Sequence, residues 1–370
     1  MRVGLNALHL VPGETGGSEI YARRLIKALL AAEPSLETTL FVTRELAGER
    51  WADRIRVVSL PVSGRSRLQR VLAEQTLLPE AVSRSRVELL HNLFTTAPAV
   101  PGVPQVTTIH DLIYKRFPDA HRGLLAYGMR ILVPLAARRS RRLIAVSEAT
   151  KADIIRFLGV PEERVDVTYE GPGMEAATEP TPGRELRERL ELGNAPIVLT
   201  VSAKRPHKNL ERLFEAFAEV DSDAVLVVPG YETAFEARLQ ARAAALAPDR
   251  IRFTDWLNDR DLEGLYGTAI CLVFPSLAEG FGLPVLEALA RGLPVTCSNA
   301  SSLPEIAGDA AIYFDPYDTN AITRSLEQLL GDESLRSRLA EAGRERAGLF
   351  SWRAAAERTI ESYRLALRQS

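Results

Sequence analysis

The sequence predicts an α/β protein built from two doubly wound parallel-sheet domains. Three observations carry that expectation. Short apolar runs alternate with longer amphipathic segments along nearly the whole chain, the alternation restarts past the middle, and a Gly/Pro/Thr-rich stretch, Gly171–Gly183, separates the halves. Apolar runs of four or five residues read as strands buried on both faces, and parallel sheets covered by helices need such strands.

In the first half the strand candidates are Val3–Ala7, Thr39–Val42, Arg56–Ser59, Val87–Leu90, Val106–Ile109, Leu143–Val146 and Val165–Thr168. Helix-period stretches lie between several of them: Ser18–Ala32, Leu68–Val82, Leu124–Arg138 and Glu148–Leu158. After the break, Ile197–Val201, Ala224–Val228, Ile251–Phe253, Ile270–Phe274, Val295–Cys297 and Ala311–Phe314 are strand-like, and Ser351–Leu367 reads as one long amphipathic helix. The expected domains are residues 1–172 and 173–350, with 351–370 a closing helix. Two such domains face each other across a cleft, and ligands of doubly wound sheets sit beyond the carboxyl ends of the strands.

The 370 residues are 46% hydrophobic and 25% charged, which excludes collagen-like, low-complexity and wholly disordered chains. Two cysteines, Cys271 and Cys297, supply neither a disulfide framework nor a four-ligand zinc site, and they suit a reducing compartment. A membrane-spanning helix needs about 20 consecutive apolar residues, and every apolar run here is far shorter. The N-terminus is interrupted by Asn6 and His9 and reads as a strand entering a loop, not as a signal peptide, so the cytoplasm is the expected location. The net charge of −2 hides an asymmetry: the first 170 residues carry 24 Lys and Arg against 18 Asp and Glu, the remainder 22 against 30.

The segment Phe274–Val295, FPSLAEGFGLPVLEALARGLPV, carries the most chemistry. A strand ends at Phe274, a loop with Gly280 and Gly282 follows, and Pro284 suits the first turn of a helix. Backbone N–H groups at that start favour a phosphate. Glu279 before it and Glu287 about one turn inside it repel a phosphate, so they make sense as acceptors for hydroxyl pairs. An ordinary loop, with Glu279 on the helix dipole and Glu287 in a surface salt bridge, accounts for the same residues. A second segment, Val201–Asn209, places Lys204, Arg205, His207 and Lys208 just past a strand, where cations suit a diphosphate or simply face solvent. Gly16 and Gly17 follow the first strand and open a helix containing Tyr21. His110 and Asp111 follow the strand Val106–Ile109, and Ser147 reads as a helix cap.

The Glu-x₇-Glu pair of EGFGLPVLE, with the ARGLPV that follows and Leu303-Pro304-Glu305, closely resembles the family 4 glycosyltransferases of GT-B architecture, and the resemblance covers essentially the whole chain. It implies two Rossmann-like domains, with the C-terminal helix after Phe350-Ser351-Trp352 crossing back to the first. In that family the first glutamate binds donor hexose hydroxyls and the second the nucleotide ribose, roles that pass to Glu279 and Glu287. Backbone around Gly280, Phe281, Gly282 and Leu283 would hold the hexose and diphosphate. Lys208 matches the lysine of the family's Arg…Lys diphosphate clamp. Where the family has Gly-Arg this chain has Ser202-Ala203, so Lys204 or Arg205 would supply the second cation. Gly16 and Gly17 resemble the Gly-Gly-x-x-x-Tyr loop that approaches the diphosphate, and His110 the histidine that contacts the donor sugar near the reacting carbon. Glu170-Gly171 stands where relatives have Asn-Gly, and Glu170 receives no role.

The implied activity is retaining transfer of a hexose from a nucleotide-diphosphate sugar to a glycan or polyprenyl-linked acceptor, with no metal and no other cofactor. The stretches His110-Asp111-Leu112, Phe117-Pro118 and Pro206-His207-Lys208-Asn209 look most like bacterial mannosyltransferases of polysaccharide assembly, which makes GDP-mannose the first donor. A nucleotide-sugar epimerase of the same architecture and a non-catalytic nucleotide-sugar binder are the rival readings. Two basic clusters, Arg65, Arg67 and Arg70 and then Arg138, Arg139, Arg141 and Arg142, suggest peripheral contact of the first domain with an anionic membrane. Solvated helix faces would show the same arginines. Nucleic acid is not expected, because aromatic platforms beside the clusters are lacking.

Overall fold

The computed structural model describes residues 1–14, 16–118, 124–173, 179–230 and 233–368. Part of the separating Gly/Pro/Thr stretch, 174–178, therefore lies outside the described residues. The chain forms two compact units, Met1–Gly173 with Ser351–Ser370, and Met174–Phe350.

The first unit holds seven parallel strands: β1 (Arg2–Asn6), β2 (Glu37–Val42), β3 (Ile55–Ser59), β4 (Leu89–Asn92), β5 (Gln105–Ile109), β6 (Arg142–Ala145) and β7 (Val165–Val167). Their order is β3-β2-β1-β4-β5-β6-β7, with Leu5 of β1 opposite Leu40 on one side and His91 on the other. The second unit repeats the plan with β8 (Ile197–Leu199), β9 (Val225–Pro229), β10 (Ile251–Thr254), β11 (Cys271–Phe274), β12 (Val295–Ser298) and β13 (Ala311–Phe314), ordered β10-β9-β8-β11-β12-β13. In each sheet the chain winds outward one way from the first strand and then the other way from its neighbour. That reversal, at β1/β4 and at β8/β11, opens a crevice at the carboxyl edge. The central strands are buried throughout, as the unbroken apolar runs require.

Two expected elements differ. The stretch Leu68–Val82 is two helices, Arg67–Gln75 and Leu77–Ser85. Pro79 explains the break: it has no N–H for the Gln75 carbonyl four residues back, and its ring crowds that carbonyl. The strand expected at Val87–Leu90 lies at Leu89–Asn92, ending on His91 and Asn92, which are polar yet fully buried. Asn92 bonds to Asn6, Gln105 and Thr107. His91 lies between the hydroxyls of Tyr363 at 2.7 Å and Thr108 at 2.8 Å.

Tyr363 belongs to the last helix, Trp352–Arg368, which packs within the first unit along the helix Gly17–Ala32 and over β5 and β6. Ala355, Ala356, Thr359, Ile360, Tyr363 and Ala366 form its buried stripe, and the small residues let the backbones approach. Its start is fixed by Trp352, whose indole N–H donates to the Pro172 carbonyl at 2.8 Å. A Cβ at Gly171 would lie 2.6 Å from the Trp352 nitrogen, so only glycine fits there. Among the described residues no helix is long and apolar enough to cross a membrane.

Candidate active site

The second unit brings its chemistry to the crevice between β8 and β11. Beyond β8 the chain makes a single turn, Pro206–Lys208, and Asn209 ends it in the left-handed region at φ 58°. The Asn209 amide donates to the carbonyls of Pro275 at 3.2 Å and Pro316 at 2.7 Å, and Leu277 N–H donates to the His207 carbonyl at 2.8 Å. These bonds tie the loop after β8 to the loop after β11. Lys208 Nζ then meets Glu279 Oε1 at 2.6 Å, with both side chains largely buried and the ammonium above the Phe274 ring.

The second loop is held from below. Ser301 donates to the Glu279 carbonyl at 2.7 Å and Ser302 to the Phe281 carbonyl at 2.8 Å. Gly282, at φ 106°, turns the chain into the helix Leu283–Ala290, and a Cβ there would press Leu303 at 2.7 Å. Pro284 has no N–H, and those of Val285 and Leu286 are spent on the Gly282 carbonyl at 3.0 and 3.2 Å, so this end offers an anion the Leu283 N–H and the partial positive charge of the helix start. Glu287, one turn in, is buried. Tyr266 donates to its Oε2 at 3.1 Å and Arg291 to its carbonyl at 2.9 Å. Burial and the neighbouring Glu287 push the Tyr266 hydroxyl well above its ordinary pKa, so it remains a donor.

The two alternatives for the second cation separate sharply. Lys204 is fully buried, and its ammonium donates to Glu236 at 2.7 Å and to the carbonyls of Gly230 at 3.1 Å and Thr254 at 3.3 Å. Three acceptors use its three protons. Lys204 is thus a structural cation, which corrects its place among the candidates, and Arg205 is the exposed one. Two Asp-x-Asp triplets occur in this unit, 221–223 and 259–261. Asp221 and Asp223 precede β9 at the opposite edge, and Asp261 is taken by Thr181 and Arg189.

In the first unit Gly16, at φ 58°, caps the helix that Gly17 opens, with no side-chain cap. Tyr21 of that helix shares a 2.8 Å hydrogen bond with Thr108 and sets its ring edge-on to His110, with centroids 4.7 Å apart. His110 Nε2 lies 2.9 Å from the Leu93 carbonyl, and burial lowers its pKa against the pull of that bond and of Asp111. Asp111 itself accepts from the Ile113 N–H at 2.9 Å, so it shapes the loop, and Ser147 accepts from the Thr150 N–H at 3.0 Å as a helix cap.

Sequence reasoning missed Glu170. It is buried after β7, with one oxygen 3.9 Å from His110 Nδ1 and the other lacking a hydrogen-bond partner, and burial pushes its pKa up to about 8. The signals were a carboxylate just past a strand and its departure from the Asn-Gly that relatives carry there.

A family model described as Glycosyl transferases group 1 matches residues 184–346, and one described as Glycosyltransferase Family 4 matches residues 15–172. The chain is 30% identical over 266 residues to O-antigen chain mannosyltransferase B of Escherichia coli, covering 70% of each protein. It is 29% identical over 275 residues to the serotype-specific mannosyltransferase WbdA of Escherichia coli, covering 72% of this chain but only 34% of that longer protein. Sucrose-phosphate synthase from Thermosynechococcus elongatus shares the fold across the full length of both chains, with a TM-score of 0.79 at 22% identity.

The contrast between the two cations yields a direct prediction. Lys204→Ala strands a buried Glu236 carboxylate and should cost about 3–5 kcal/mol of stability, whereas Arg205→Ala should leave stability within about 0.5 kcal/mol of wild type. Urea unfolding of both variants checks this, and equal losses would contradict the separation.

Proposed function

The chain belongs to glycosyltransferase family 4 and has its GT-B fold. From that premise we propose that it moves a hexose, mannose first, from a nucleotide-diphosphate sugar to a hydroxyl of a glycan or polyprenyl-linked acceptor, with retention at the anomeric carbon. The observation that carries this reading is the Lys208–Glu279 pair beside the start of the helix Leu283–Ala290. It sets a cation and hydrogen-bond donors for a diphosphate next to a carboxylate that accepts from sugar hydroxyls. The donor guess draws on mannosyltransferase relatives.

In the proposed reaction the bond from the anomeric carbon to a diphosphate oxygen breaks through an oxocarbenium-like state. The acceptor oxygen bonds to that carbon on the face the diphosphate leaves, and its proton passes to a diphosphate oxygen. Negative charge grows on the leaving group, where Lys208, Arg205 and the Leu283 N–H at the helix start meet it. Fixed donors aimed at developing charge are the strongest single source of catalysis. With that charge supplied by the protein, the scheme needs no metal. In this scheme Glu279 orients the hexose and Glu287 takes the ribose hydroxyls, while the family resemblance assigns His110 to the donor sugar and the Gly16-Gly17 turn to the diphosphate.

Membrane contact, if the acceptor is lipid-linked, would use the helix Arg67–Gln75. Its Leu68 and Leu72, 71% and 54% exposed and one turn apart, stand beside Arg65, Arg67 and Arg70. Both basic clusters are partly spent on structure: Arg65 pairs with Glu14 at 2.9 Å and Arg70 donates to the Gly64 carbonyl at 2.7 Å. Arg142 is buried against Asp166, and Arg141 donates to the Ala366 carbonyl.

Two measurements follow. Glu287→Ala should weaken both the free nucleotide and the nucleotide sugar, while Glu279→Ala should spare nucleotide affinity and depress turnover. Each loss should be roughly 10- to 150-fold, the worth of a charge-assisted hydrogen bond of about 1.5–3 kcal/mol. Calorimetry with GDP, alongside GDP-mannose turnover with and without an acceptor, separates transfer from epimerisation and from binding alone. Equal loss of GDP affinity in both variants contradicts the division of labour. For the membrane, Leu72→Asp should reduce sedimentation with anionic vesicles roughly tenfold or more, since burying a leucine contributes about 1.5–3 kcal/mol. Wild-type binding to neutral vesicles as strong as to anionic ones rules the contact out.

A further inference from the structure

We propose that Glu170 is a positioning residue for His110: its buried carboxyl, facing Nδ1, sets the charge of a ring whose tautomer the Leu93 carbonyl fixes. The inference rests on reading His110 as the group beside the donor sugar.

The tautomer follows from the partners. The Leu93 carbonyl only accepts, so the Nε2 that lies 2.9 Å from it carries the hydrogen. In the neutral ring Nδ1 is then a bare lone pair, and Glu170 Oε1 lies 3.9 Å from it, beyond hydrogen-bond length but within ion-pair reach. The ring has little freedom to turn away, with Tyr21 edge-on at 4.7 Å and Phe94 tilted against it at 6.2 Å.

Glu170 is as firmly held. It is 3% exposed, and the next two residues are pinned by the last helix through the tight Gly171–Trp352 approach and the Trp352–Pro172 hydrogen bond. An unpartnered buried polar atom is costly, and among the described residues Glu170 Oε2 has no hydrogen-bond partner. Packing gives no reason for a carboxyl here, whereas a chargeable neighbour for Nδ1 does.

His91 and Tyr21, which also face His110, stay uncharged near neutral pH. His91 on β4 is fixed between Tyr363 and Thr108, and burial pushes it down to about 3, so it is uncharged. Burial pushes the Tyr21 hydroxyl up, and it remains protonated on Thr108. Asp111 is occupied with the Ile113 N–H. Burial pushes the Glu170 pKa up to about 8, so its charge changes between pH 6 and 9. Below that pH the pair holds one proton, on the carboxyl or on Nδ1, and is neutral overall. Above it, the pair carries a negative charge beside the reacting carbon and repels a diphosphate.

The test reads the histidine directly in the full-length chain without substrate. Carbon–nitrogen NMR of the imidazole rings, with His110 assigned by its loss in His110→Asn, should show an inflection near pH 8 in the wild type. Glu170→Gln should abolish that inflection between pH 6 and 9, and Glu170→Asp, which keeps a carboxyl, should restore one. In parallel, the alkaline fall in kcat should vanish in Glu170→Gln. A wild-type His110 without the inflection, or one unchanged in Glu170→Gln, overturns the inference and leaves the transfer reading standing. An inflection that behaves as expected in a protein without transferase activity would instead overturn the reading of function.

Discussion

The ion pair between Lys208 and Glu279 is the contact on which the candidate site depends, because it joins the two loops that leave the sheet at its reversal point. The strand order puts β8 beside β11, and Asn209, Ser301 and Ser302 then fix both loop backbones. What remains is an ammonium largely drawn out of water, held by Glu279 above the Phe274 ring. A diphosphate at the start of the helix Leu283–Ala290 brings more negative charge than the Glu279 carboxylate. The cation can therefore turn to the phosphate while Glu279 turns to sugar hydroxyls. The loops that carry both partners are fixed before a ligand arrives, so only the two side chains need to reorient.

The first unit solves a different problem, the burial of polar groups behind a strand edge. Tyr363, His91, Thr108 and Tyr21 form a continuous line of hydrogen bonds that links the last helix to the helix opened by Gly17. Each member satisfies its neighbour, which is the condition for a polar core to stabilise rather than cost. The same last helix clamps Gly171 and Pro172 and so places Glu170 beside His110. A segment distant in sequence thus sets the surroundings of a residue at the end of β5.

Much of this was legible from residues alone. Strands such as Val106–Ile109 and Cys271–Phe274 are apolar throughout, because both faces of a parallel sheet are covered. The glycines, glutamates and Lys208 stand in a pattern that few other folds use. What escaped depends on partners far away in the chain. Lys204 and Arg205 look alike as neighbours, yet the acceptors that bury Lys204 are Gly230, Glu236 and Thr254, which arrive only with folding. Glu170 needs His110 and Trp352 to gain meaning. His91 and Asn92 hid a strand end because their polarity is cancelled by tertiary hydrogen bonds. The break before Leu77 was readable from Pro79, since the steric rule is local.

The central claim is that Lys208 meets charge developing on a leaving diphosphate. Turnover of GDP-mannose by Lys208→Ala and by the wild type, both in excess chelator, tests it most directly. A wild type that stays active and a variant slowed by about 10²-fold or more is the predicted result. A variant as fast as the wild type, or a wild type silenced by chelator and restored by Mg²⁺, would contradict it.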